Sequence, residues 1–201
     1  MRRWSFCAPM IALCLLLTGC GRGEGPAEDP AQTIRTEYSA LASCTGIAEI
    51  TADYGQRVYD FTLDFSVADG ETTLTITAPE EVAGVTARIA AGETRLEYDG
   101  VMLETGLLSQ DGLSPVSALP VMLSYARSGF SDQWGQEEAE EETLLRVDYR
   151  DAAETPGCGT EASLWFHPEG HGLARGELMV DGYRVITCVF TEFAMTPALA
   201  D

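Results

Sequence analysis

Short runs in which apolar and polar residues alternate, punctuated by Asp-Gly pairs, confine this sequence to a fold built from β-hairpins. Tyr59, Phe61, Leu63, Phe65 and Val67 occupy every second position, and a side-chain period of two puts them on one face of a strand. Ala48, Ile50, Ala52 and Tyr54 alternate in the same way before the break at Gly55. Asp69-Gly70, Asp99-Gly100 and Asp181-Gly182 each stand between two such runs. The pair suits a two-residue loop because both central positions need positive φ, which aspartate tolerates and glycine adopts freely. Strands are thereby predicted over 71–78, 84–90, 93–98 and 101–104, and again over 143–150, 160–167, 172–180 and 183–193. Pro79 ends the first of these, since proline cannot donate to the ladder.

Two helices interrupt this pattern. Ala31 to Ser43 carries Ile34, Tyr38 and Leu41 at helical spacing. Ser114 and Pro115 read as N-cap and first helical residue and Gly129 as the residue past the end, with Val116, Leu119, Met122, Leu123 and Ala126 forming an apolar stripe between them. Pro120 lies in the first two turns and should loosen them. From Phe130 the chain turns acidic, with five glutamates between Glu137 and Glu142, and this stretch reads as a solvated loop. The expected fold class is α+β: an incompletely closed antiparallel β-barrel of about ten or eleven strands, with an N-terminal helix and one long helix covering the open face.

Upstream of this, Arg2 and Arg3 precede an apolar run from Phe6 to Leu17. A dozen residues are too few for the roughly 20 that a spanning helix needs, so the run reads as a signal segment. Leu17-Thr18-Gly19-Cys20 at its end resembles the lipobox of bacterial lipoproteins. That resemblance implies cleavage before Cys20, diacylglyceryl transfer to its thiol and a palmitate-bearing anchor. An ordinary secretory peptide with a chance cysteine is the alternative. The expected organisation is a lipoprotein signal peptide over 1–19, a flexible tether over 20–30 and a single domain over 31–201. Localisation would be the cell membrane, lipid-anchored on the extracytoplasmic side.

Loss of residues 1–19 removes two arginines and lowers the net charge from −20 to −22, and the chain has no lysine. Nucleic acids and anionic headgroups are bound through clustered Lys and Arg, so neither is an expected partner. Any membrane contact must come from the lipid at Cys20. Cys44, Cys158 and Cys188 then remain, an odd number that allows at most one internal disulfide. The register implied by the Asp181-Gly182 turn sets Cys188 opposite Arg175, away from Cys158.

Few residues carry the pattern of a reactive site. His167 and His171 bracket Glu169 in His167-Pro168-Glu169-Gly170-His171, but a zinc site needs three or four ligands, and Pro168 and Gly170 serve a turn. The glutamate run lacks the alternating ligands and central glycine of a calcium loop. No Gly-x-Ser-x-Gly elbow or glycine-rich phosphate loop is present. The expectation is no catalytic residue, no metal, no cofactor and no enzyme activity. The apolar sheet face is what remains: Tyr59, Phe61, Leu63, Phe65, Leu74, Ile76, Leu164 and Phe166 would line it, with Leu119 and Met122 of the long helix above. Either the helices cover it as a dry core, or the cover is incomplete and the concavity holds a lipid-like ligand.

The order of one helix, six strands, one long helix and further strands behind a lipobox resembles the LolA/LolB family of lipoprotein carriers. Pro79-Glu80-Glu81-Val82-Ala83-Gly84 and Gly112-Leu113-Ser114-Pro115 also look like segments of the LolA-like lipoproteins of Gram-positive bacteria. The resemblance implies an open antiparallel barrel whose apolar interior binds acyl chains. It implies two possible roles: lipid or lipoprotein-acyl binding, or an envelope adaptor that docks a partner protein and holds no ligand. Residue-level transfer is limited to Cys20.

Overall fold

The computed structural model describes residues 29–104, 114–139 and 142–198. The signal segment, Cys20, nearly all of the tether, Gly112 and Leu113 lie outside the described residues. A single antiparallel sheet is built from β1 (Leu41–Asp53), β2 (Val58–Ala68), β3 (Glu71–Ala78), β4 (Thr86–Ala90), β5 (Glu93–Tyr98), β6 (Val101–Glu104), β7 (Phe130–Glu138), β8 (Thr143–Arg150), β9 (Thr160–Phe166), β10 (Leu173–Val180) and β11 (Tyr183–Pro197). Its order is β6-β5-β4-β3-β2-β1-β11-β10-β9-β8-β7. Every neighbour except the β1–β11 pair is also a neighbour in sequence, and the sheet is open, with edges at β6 and β7. Helix α1 (Pro30–Ser39) and helix α2 (Pro115–Ser128) pack on each other, and α2 crosses β1, β9, β10 and β11.

The turns obey the chemistry of their residues. Asp69-Gly70, Asp99-Gly100 and Asp181-Gly182 have φ of 52° and 78°, 49° and 77°, and 49° and 78°, as a type I′ turn requires. Across the helix-facing side the registers join Val147, Leu164, Gly176, Cys188, Ile50 and Phe61 into one rung. A parallel rung runs Phe65, Leu74, Ala87, Leu96. Gly176 is the low point of the first. A Cβ there would lie 2.5 Å from Met122 Sδ, so the missing side chain is what lets α2 settle on the sheet.

Four expectations need correction. Helix α1 ends at Ser39, and residues 41–43 already belong to β1. Leu41 fits the helical spacing of Ile34 and Tyr38, but the ladder with β11 begins at Leu41, opposite Pro197, and claims the backbone. The same helix starts at Pro30, capped by Asp29, whose carboxylate accepts from the Ala31 amide at 3.1 Å; the tether is shorter than expected. Phe130–Glu138, read as loop, is the edge strand β7. Cys188 pairs with Gly176 and not Arg175, because a bulge between Leu178 and Met179 adds a residue to β11 after the turn.

Cys44, Cys158 and Cys188 are free thiols, the first and last buried and Cys158 exposed. Burial pushes the Cys44 thiol up to about 11 and the Cys188 thiol higher still. The outer face of β8–β11 is polar and interlocked. Trp165 is clasped by the Arg146 and Arg175 guanidinium groups, each about 5 Å from its ring. Glu177 receives Arg175 and, at 2.9 Å, Arg184.

Candidate functional site

The ten residues expected to line an apolar concavity divide into three groups. Phe65, Leu119, Met122, Leu164 and Phe166 are sealed in the core under the helices. Phe65 meets Phe190 edge-on at 5.9 Å and Phe193 at 5.7 Å, and Phe166 meets Tyr38 edge-on at 5.5 Å. Phe61, Leu63, Leu74 and Ile76 border a separate apolar gap at the β2–β5 side of the sheet. Tyr59 belongs to neither: it shares the face and stacks on Phe61, but its side chain is 40% exposed, and among the described residues no helix lines that end of β2. Alternation identifies the face of a strand, not how far the cover extends along it.

Val85, Ala87, Leu96, Pro115 and Val116 complete the gap. Pro115 and Val116 read from sequence as the start of the long helix but not as lining, and the other three are not singled out there, although the β4–β5 hairpin register does carry the signal: Leu74 pairs with Ala87 and Ala87 with Leu96. The volume is about 20 Å³, room for one water molecule at most, and no polar side chain lines it to hold one. Phe61, Ile76, Val85, Leu96 and Val116 are each only half-buried. The gap is thus a dry seam closed at the top by the first turn of α2.

That first turn is tied differently from the rest of the helix. Ser114 accepts from the Ser117 amide at 3.1 Å and Ser117 returns the bond to the Ser114 amide at 3.3 Å, a reciprocal cap. Pro120 has no amide hydrogen to give the Val116 carbonyl. Beyond it, Leu119, Met122, Leu123 and Ala126 are buried against the sheet, and the Tyr125 hydroxyl donates to the Thr160 carbonyl at 2.8 Å. One end of α2 is therefore fixed over Gly176, and the other covers the seam, among the described residues, through Pro115 and Val116.

The two histidines sit elsewhere, on the β9–β10 loop. His171 Nδ1 lies 2.7 Å from Glu37 of α1, and the Tyr38 hydroxyl donates to the His171 carbonyl at 2.9 Å. His167 Nδ1 lies 3.0 Å from Glu142. Each imidazole is matched to one carboxylate from a different element, and among the described residues no three His, Cys, Asp or Glu side chains converge on a common point. Burial pushes the Tyr38 phenol well above its ordinary range, consistent with a hydroxyl that only donates.

An open antiparallel sheet curled over two packed helices, with an apolar seam at one flank, defines the class of protein. Solved structures similar to this chain include an uncharacterized conserved protein from Thermus thermophilus, 11% identical with a TM-score of 0.51 over 85% of this chain and 90% of that one; this match carries the fold. Others are the lipoprotein LppX of Mycobacterium tuberculosis, 15% identical with a TM-score of 0.45 over 86% and 97%, and a LolA superfamily protein from Nitrosomonas europaea, 12% identical with a TM-score of 0.39 over 84% and 94%. No family model and no curated protein matches the sequence.

Proposed function

We propose that this chain is a membrane-anchored lipoprotein that binds a lipid or the acyl chain of a lipoprotein in the seam between β2–β5 and the first turn of α2. The observation that supports this reading is the seam itself: wholly apolar side chains, of which Phe61, Ile76, Val85, Leu96 and Val116 are left half-buried beside a sealed core. At about 20 Å³ it is too narrow for an acyl chain, so binding requires Pro115 and Val116 to swing away while the Gly176 end of α2 stays seated. Pro120 is placed where such a hinge needs a missing hydrogen bond. The anchor is the diacylglyceryl group expected on Cys20.

A second reading, an envelope adaptor without ligand, draws on a different observation. The edge strand β6 presents Val101, Met102 and Leu103 to solvent, with Tyr98 beside it, and an exposed apolar edge invites an added strand. Native mass spectrometry of the full chain carrying Cys20→Ser separates the two, since a co-purified lipid is expected only under the first. Hydrogen exchange supplies the second arm: residues 115–119 should exchange faster than Tyr183–Phe193 and become protected when lipid is added. No bound lipid, together with uniform protection that added lipid leaves unchanged, would transfer the preference to the adaptor. Membrane release of the Cys20→Ser chain tests the anchor separately.

A further inference from the structure

A second cavity lies at the opposite flank, outside the seam. It is a groove of about 610 Å³ bounded by the carboxyl end of α1, the β9–β10 loop and the end of β11, within the range of small-molecule sites. Leu41, Phe193 and Met195 give it an apolar floor, and all three are half-buried against the core. Its rim is negative. Glu37 is matched to His171, and His167 to Glu142, which leaves Glu169 as the uncompensated carboxylate; it is exposed and has no partner among the described residues. The last turn of α1 adds partial negative charge at the same rim, with no basic residue there to offset it. Among the described residues no arginine lines the groove.

We propose that this groove binds a small organic cation with an apolar body, its head at Glu169 and the carboxyl end of α1, its body on Leu41, Phe193 and Met195. Two features converge on that chemistry. The unmatched rim charge selects a cation, and the apolar floor of Leu41, Phe193 and Met195 rejects a fully hydrated one. A metal ion does not fit, because Glu37, His167, Glu169 and His171 do not converge. The clips His171–Glu37 and Tyr38–His171 fix the β9–β10 loop against α1, so the groove is formed before the ligand arrives.

The test is a backbone-amide NMR titration of the labelled full chain with octyltrimethylammonium, using octanol and octanoate as controls of the same tail. The ammonium should give saturable shifts at Ala40, Leu41, Gly170, Gly172 and Met195, while the two controls leave these amides in place. Glu169→Gln, at an exposed position, should weaken binding roughly two- to fivefold, and Met195→Arg should abolish it by lodging a tethered guanidinium in the groove. Equal shifts from octanol or octanoate, shifts confined to the β2–β5 seam, or a Glu169→Gln chain that binds as tightly as the parent would each overturn the proposal. Shifts confined to the seam would count toward the acyl reading there, and the other outcomes leave that reading unaffected.

Discussion

Truncating the aromatic residues of β2 one at a time should give a graded loss of stability, because the helices cover only part of that strand. Phe65 is 4% exposed and wedged between Phe190 and Phe193. Phe65→Ala removes a fully buried ring and leaves a cavity among rigid neighbours, a change that costs about 3–5 kcal/mol. Phe61 stands two rungs away at the seam and is half-buried. About two-thirds of a ring's ~200 Å² is then withdrawn from water, and at about 25 cal/mol per Å² this comes to roughly 3 kcal/mol, without a cavity penalty where solvent or Val116 fills in. Tyr59→Ala should cost less than Phe61→Ala, since a larger share of its ring stays in water and no rigid core surrounds it. Urea denaturation followed by circular dichroism, with an unchanged slope across the series, reads these directly. Equal losses for Phe61→Ala and Phe65→Ala would show that the seam is core and that no part of the sheet face is left partly covered.

Three further outcomes follow from particular contacts. Tyr38→Phe deletes the bond to the His171 carbonyl and should lower stability by about 1–2 kcal/mol; an unmoved denaturation midpoint would remove the clip from the account. Gly176→Val drives a side chain into Met122 and Leu164 and should cost about 1–3 kcal/mol, with Met122→Ala restoring part of it in a double-mutant cycle; strict additivity would show that α2 does not rest on that residue. Stability should fall in alkali. Burial raises the Cys44 and Cys188 thiols and the Tyr38 and Tyr149 phenols, so the unfolded chain loses these protons first. The contribution is complete below the unfolded values of 9.0 and 10.0 and is lost as pH rises through them. Combining Cys44→Ala and Cys188→Ala should delay the decline to the tyrosine range, and an identical pH profile would contradict this.

Where local chemistry decides the backbone, the sequence was legible. The Asp-Gly pairs adopt the positive φ they suggest, and the Ser114-Pro115 start of α2 is capped as its residues imply. Asp29-Pro30 is the same signal at the head of α1 and was absorbed into the tether because glycine and proline crowd around it. The strand β7 carried no signal of its own. Phe-Ser-Asp-Gln-Trp-Gly-Gln-Glu-Glu has no alternation because almost none of it is buried, and what holds it is the ladder to β8. The seam was half legible: β2 and β3 show their lining residues by alternation, whereas the boundary between sealed core and half-covered face depends on how far α2 reaches, which no single strand encodes.

The pairing of β1 with β11 also has a consequence in time. Both meanders, β1 to β6 and β7 to β11, are made of contacts between neighbours in sequence, and such local hairpins form within microseconds. The seam between them joins Cys44 to Met195, about 150 residues apart, and closing a loop of that length costs roughly 4 kcal/mol of chain entropy before any contact offsets it. Helix α2 lies across strands of both halves, so its burial waits on the same event. Pairing of β1 with β11 is therefore the expected slow step, and a chain halted before residue 183 lacks the strand that joins the two meanders. A circular permutant opened between β6 and α2 would make the seam local and should fold faster at unchanged final stability.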